Sequence, residues 1–419
     1  MKIQISKKLV KSVIFVLVVG SSLPAFASDT FKNFANGNEL KAKSAELGIL
    51  DQEYMNSTGL DKINASAAYA LGYSGDGINL GICDGGVNDT LYELNEKVTH
   101  LNYAWDLEQN KYATHGTEVA SVMMASKDND NGLQGIAYNA NIFDIHKSYD
   151  NITRIGTFSS DFNENDVKVI NISQNFTASS ALYDMTKQFL ITYIGGDEKD
   201  NDRVYVLATG NNGTANYNRD NLVLAMASSE SCRMNTIVVG SIDPATGIIS
   251  PFSNLGSIVG QNTVYAPGEN INIVSYDENG NIKYAVGDGT SYATPYVAGT
   301  MGLVQEAFPY LSGKQLVDVV LSTSEIPENY PKHMLQYSNG DKRNLHIISV
   351  EEAITQEERE SLLNDYRDYW YARNVWLEPS IVTDNMDPEN CPEYVLSAEE
   401  VYGRGIVNAG RAVHGVAAL

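Results

Sequence analysis

The chain has 419 residues, 43% of them hydrophobic, with 52 acidic against 29 basic side chains and a formal charge of −23. That is apolar material enough for one large domain or two medium ones, and it argues against disorder. So large an acidic excess excludes nucleic acid and anionic lipid as natural partners and suits a soluble surface that attracts cations or basic peptide segments.

Residues 1–27 carry Lys2, Lys7, Lys8 and Lys11, then the apolar run SVIFVLVVG, then LPAFA, with Ala25 and Ala27 three and one before a cleavage point. This reads as a secretory signal peptide, since the apolar run falls short of the roughly 20 residues that cross a bilayer. Its removal takes away four lysines and no acid, so −23 becomes −27. No later stretch reads as a membrane span. Residues 28–58 are polar and without pattern, an extension that wraps or frays, and the main domain is expected from 59 to 419.

From Gly59 onward short apolar runs alternate with helix-like segments. INLGIC (78–83), NIFDIH (141–146), VKVINI (167–172), VYVLAT (204–209) and TIVVGS (236–241) are apolar on both faces, as strands of a buried parallel sheet are. TEVASVMMAS (117–126), SYATPYVAGTMGLVQEAF (291–308) and GKQLVDVVLSTSE (313–325) read as helices between and after them. The alternation predicts a doubly wound α/β three-layer sandwich with a mainly parallel central sheet. In such folds ligands collect beyond the carboxyl ends of the strands.

Residues 326–400 differ in character. They are acidic, and NDYRDYWYARNVW (364–376) repeats aromatic residues at helical spacing, which predicts a helix packed on the main domain or an exposed patch for a partner protein. The closing YGRGIVNAGRAVHG (402–415) reads as a turn and a last helix. Three cysteines do not make a disulfide framework; Cys83 lies in an apolar run and reads as a small core residue, leaving Cys232 and Cys391 as the intramolecular pair to test.

Four positions place a polar side chain at a strand end or helix start. Asp84 ends the first apolar run, His115 opens a helix beside Gly116, Asn211 follows a strand and Gly210, and Ser291 follows Gly289 and Thr290 at the start of the longest helix. Each has an ordinary structural explanation: a turn carboxylate, a partly buried imidazole, a left-handed turn residue and a helix cap. Together, at one edge of one parallel sheet, an Asp, a His, a Ser and an amide donor supply the parts of nucleophilic acyl transfer.

The segments GINLGICDGGVN, THGTEVAS, ATGNNG and GTSYATPYVAG, in that order, resemble the subtilisin-like serine peptidases, from about Gly59 to Glu325 and again at 402–413. The resemblance implies Asp84 as orienting carboxylate, His115 as base and then acid, Ser291 as nucleophile and Asn211 as oxyanion donor. It implies that Ser173, Gln174 and Asn175 border the specificity pocket, with Ala208, Thr209 and Gly210 opposite, and that polypeptide substrates lie extended between them. Gln174 and Asn175 stand where the family usually has small residues. Glu118, Tyr292 and Tyr296 are further departures, and neither tyrosine is expected to touch the proton path.

No cofactor is implied for the chemistry, while KDNDNG (127–132) falls near a family calcium loop, where Asp128 and Asp130 could offer oxygens or form only a solvated turn. The ending is similar to that of autotransporter passenger proteases, with no barrel expected after it. The resemblance thus points to an exported bacterial endopeptidase, secreted, periplasmic or on the cell surface. The alternative is a catalytically silent module that binds a partner protein through 326–400.

Overall fold

The computed structural model describes residues 37–146, 162–174, 202–213, 227–255, 262–327, 333–349 and 402–415, with short interruptions inside these ranges. The leader at 1–27, Asp128, Asp130, Asn175, Cys391 and the aromatic helix expected at 364–376 lie outside the described residues.

Seven strands form the central sheet: β1 Asn79–Asp84, β2 Val98–His100, β3 Asn141–His146, β4 Val169–Ile172, β5 Val204–Ala208, β6 Thr236–Ile242 and β7 Thr263–Pro267. Their order is β2-β3-β1-β4-β5-β6-β7, and every pairing is parallel. All five apolar runs became strands, and β4 to β7 are buried along their whole length, as strands covered on both faces must be.

The described helices are α1 Gly37–Glu46, α2 Gln52–Asn56, α3 Ala65–Ala70, α4 Thr114–Met124, α5 Glu230–Arg233, α6 Thr290–Ala307, α7 Gly313–Thr323 and α8 Ala409–Gly415. On β1, Leu80 meets α6 where Gly302 leaves room, and a Cβ at the next residue, Gly81, would come within 2.9 Å of the Phe162 ring. Successive strand residues point to opposite faces, so α6 covers one side of the sheet and Phe162 the other. The doubly wound, layered architecture is as the sequence predicts. Val206, Ile237 and Val239 of the sheet, Val297, Met301 and Val304 of α6, and Leu316 and Val320 of α7 share one core. Each such side chain contributes about 1.5–3 kcal/mol by leaving water. Among the described residues no helix is long and apolar enough to cross a membrane.

Residues 51–58 wrap rather than fray. Asp51 caps α2 by accepting from the Tyr54 N–H at 2.9 Å, Glu53 and Tyr54 are buried, and the Ser57 hydroxyl accepts from Gln134 N–H at 2.6 Å. At the other end, Glu325 and Ile406 exchange backbone hydrogen bonds of 2.9 and 2.8 Å, and Ile406 also bridges Tyr265 on β7. The chain therefore departs after Glu325 and returns before Ile406 through adjacent backbone. Between these points lies an antiparallel hairpin, β10 His333–Ser338 with β11 Asp341–Ser349. Another hairpin, β8 Ile271–Tyr276 with β9 Ile282–Gly287, lies against α4, where Val274 N–H donates to the Ser121 hydroxyl at 2.9 Å.

Candidate active site

The strand order turns at β1, which has β3 on one side and β4 on the other. Such a switch point opens a crevice beyond the strand ends. Ile82 pairs with Asn171, and two residues further on the two strands run out in Asp84 and Ser173. Next to them β5 runs into Thr209, Gly210 and Asn211.

Asp84 is fully buried. Its Oδ1 accepts from the Gly85 N–H at 2.6 Å and from Gln174 Nε2 at 2.6 Å, and the His115 Nδ1 lies 2.9 and 3.1 Å from its two oxygens. A carboxylate in this setting accepts, so Nδ1 carries the proton and Nε2 keeps its lone pair. Between the elements that carry the pair the backbones almost touch: a Cβ on Gly116 would lie 2.2 Å from the Gly86 carbonyl oxygen. Burial pulls the His115 pKa down, but the Asp84 charge, its hydrogen bond and the Glu118 charge outweigh it and leave the pKa above the ordinary histidine value.

Ser291 is the second residue of α6, not its cap; Gly289 occupies the cap position and makes no side-chain capping bond. The capping role open to Ser291 from sequence is thereby corrected. Pro295, four residues on, has no N–H to give to the Ser291 carbonyl. The Ser173 hydroxyl takes that place, donating to Ser291 O at 2.9 Å while accepting from Asn171 Nδ2 at 3.0 Å. In return the Ser291 hydroxyl donates to the Ser173 carbonyl at 3.0 Å. This is a resting position for the hydroxyl, since its proton is not directed at the imidazole.

Asn211 is exposed, but its amide is oriented. Its Oδ1 accepts from both the Thr290 N–H and the Thr290 hydroxyl at 2.8 Å, which turns Nδ2 outward as a donor beside the start of α6. The turn before it is held by Asn254, a buried residue that the sequence did not single out. Asn254 receives the Asn212 N–H at 3.0 Å, gives its amide to the Thr209 carbonyl at 2.9 Å, and donates its own N–H to the Gly210 carbonyl at 2.9 Å. A buried Asn in SPFSNLG was the available signal, but its partners are 42 and more residues away. Gly210 takes φ +100°, which a side chain would strain.

Of the residues expected around a specificity pocket, Ser173, Ala208 and Thr209 are buried at the strand ends, and Gly210 donates its N–H to the Thr290 hydroxyl at 3.2 Å. Among the described residues no group of three or more His, Cys, Asp or Glu side chains could hold a metal ion. Cys83 and Cys232 are both buried.

Residues 75–352 match the model of the subtilase family, peptidase family S8. The chain belongs to the subtilase family. Subtilases are serine peptidases of the subtilisin type. This one is 30% identical over 277 residues to Subtilisin DY of Bacillus licheniformis, covering 64% of this chain and 90% of that one. It is 28% identical over 284 residues to Subtilisin NAT of Bacillus subtilis subsp. natto, covering 65% of this chain and 67% of the relative. Among solved structures, the MycP3 protease from the type VII (ESX-3) secretion system shares the fold, with a TM-score of 0.52 at 19% identity over 87% of this chain and 89% of that one.

One departure of this subtilase from the family pattern lies beside the imidazole. The Tyr292 ring lies 6.1 Å from that of His115, and the Tyr292 hydroxyl donates to Glu118 Oε2 at 2.8 Å. Burial, then the Glu118 charge, pushes the Tyr292 pKa far up, so it remains a donor at any working pH. Tyr296 is turned away, its hydroxyl bonded to the Thr58 carbonyl.

Proposed function

We propose that this subtilase is an exported serine endopeptidase that cleaves peptide bonds through an acyl-enzyme on Ser291. The observation that carries the reading is the His115–Asp84 hydrogen bond of 2.9 Å, which fixes the imidazole tautomer at the same sheet edge as a helix-start serine.

In the first step the Ser291 hydroxyl swings from the Ser173 carbonyl to His115 Nε2, gives up its proton there, and its oxygen attacks the scissile carbonyl. The oxyanion is held by Asn211 Nδ2 and the Ser291 N–H, both presented at the positive end of α6. The imidazolium, steadied by Asp84, returns its proton to the leaving amine as the C–N bond breaks. Water then repeats the sequence on the acyl-enzyme, releasing the acid and restoring Ser291. Every step is performed by groups of this chain. Substrate lies extended along Ser173, Gln174 and Asn175 on one side and Ala208, Thr209 and Gly210 on the other.

The test is labelling of the folded, secreted protein by a fluorophosphonate, with mass spectrometry of the mature terminus. Adduct on Ser291, hydrolysis of casein and loss of both in Ser291→Ala are expected. A folded protein that neither labels nor cleaves overturns the reading, and a terminus that still begins before residue 28 overturns export through the leader.

A further inference from the structure

Gln174 does not simply line a pocket. Its Nε2 sits 2.6 Å from Asp84 Oδ1, on the oxygen that also receives His115 Nδ1 and the Gly85 N–H. Its neighbour Ser173 grips Ser291 by a reciprocal pair of hydrogen bonds, 2.9 and 3.0 Å. Two consecutive residues past the end of β4 therefore touch the orienting carboxylate and the nucleophile, on which the proposed reaction depends.

From this arrangement we infer that Gln174 is a positioning residue of the reaction, which clamps the Asp84 carboxylate and lowers the basicity it confers on His115. The inference rests on the catalytic reading given above. An amide N–H donated to a carboxylate stabilises the anion and draws charge away from its other partner. Here the other partner is the imidazole, so the Gln174 bond opposes the lift that Asp84 gives to His115. Among the described residues, the other titratable groups coupled to this pair are Glu118 on α4, Tyr292 on α6, whose own neighbours include Asp288, and His146, which lies opposite Asp84 in the β1–β3 register. Gln174 also lies at the edge along which substrate is read, so the clamp joins the substrate-binding strand to the triad.

The test compares wild type with Gln174→Met, which keeps length and apolar stem but removes the donor, and with Gln174→Glu, which replaces the donor by a second carboxyl. The side chain is only half-buried, and the fold of each variant is checked by circular dichroism. The pH profile of kcat/KM for a peptide substrate and the pH dependence of fluorophosphonate labelling are then measured. In Gln174→Met the acid-limb midpoint should rise by about half a pH unit, with kcat down severalfold and KM nearly unchanged; in Gln174→Glu the rise should be larger. An unshifted midpoint in both variants, or a loss confined to KM as for a pocket residue, overturns the inference. Wild type and Ser291→Ala are run alongside: an inactive wild type defeats the catalytic reading itself, whereas an active wild type with unmoved variants defeats only the role of Gln174.

Discussion

The Ser291 carbonyl and the Ser173 hydroxyl form a 2.9 Å hydrogen bond that exists because Pro295 cannot complete the helical one. A break in the first turn of α6 is thus the means by which the end of β4 takes hold of Ser291, the proposed nucleophile. Ser173→Ala should leave that carbonyl unpartnered, at a cost of about 1 kcal/mol measured by urea unfolding. Expressed at Ser291, that energy slows fluorophosphonate labelling by roughly fivefold, since about 1.4 kcal/mol is tenfold in rate.

The pH dependence follows from the charges around His115. Its raised pKa places the acid limb of kcat/KM above about 6.5, the ordinary histidine value. Glu118→Gln removes one of the raising charges and should move the limb down, read from the same profile.

Stability should carry the opposite mark of the same shift. The fold binds the His115 proton more tightly than the unfolded chain does, so this contribution is fully present below the ordinary histidine pKa. It is lost as pH rises through the raised value. Urea unfolding of inactivated Ser291→Ala against Ser291→Ala/His115→Ala, across that window, should show the double variant lacking this decline.

If Asn211 is the oxyanion donor proposed above, Asn211→Ala should lower kcat by about 10²–10³ with little change in KM, the magnitude known for the oxyanion asparagine of subtilisin, a relative of this chain. Asn254→Ala touches no substrate and acts through the turn at 209–212. It should cost kcat less than Asn211→Ala does and also lower the melting temperature, whereas loss of Asn211 should leave melting nearly unchanged.

The paired backbones of Glu325 and Ile406 make the segment between them separable. Replacement of residues 328–401 by a short Gly/Ser linker should leave a folded, fluorophosphonate-reactive domain, checked by a cooperative melt and by labelling. A chain that no longer melts cooperatively would show the segment to be part of the core.

How much of this was legible beforehand depends on how local the cause is. Five strands announced themselves because burial on both faces demands continuous apolar runs, and Asp84, His115, Asn211 and Ser291 stood out by their place at strand ends and helix starts. β2 and β7 did not: VTH is three residues long with partial burial, and TVYAP is a short edge strand ending in proline. The helices at 37–56 escaped because their fit lies in distant partners, such as Ser44 Oγ on the Ser66 carbonyl at 3.0 Å. Gln174 was legible as an oddity but not as a donor, since nothing in SQN tells which of its neighbours it will reach. The cap open to Ser291 from sequence is taken instead by Gly289, two residues earlier, and the serine's hydrogen-bond partner lies on another element.

The close approach of Gly116 to Gly86 has its own consequence. Because no side chain intervenes, the spacing between the elements carrying Asp84 and His115 is set by backbone-to-backbone contact rather than by side-chain packing. A change of core side chains elsewhere leaves this contact without a side chain to alter it directly. The same feature makes the pair brittle in one direction only: one added methyl group at position 116 has nowhere to go.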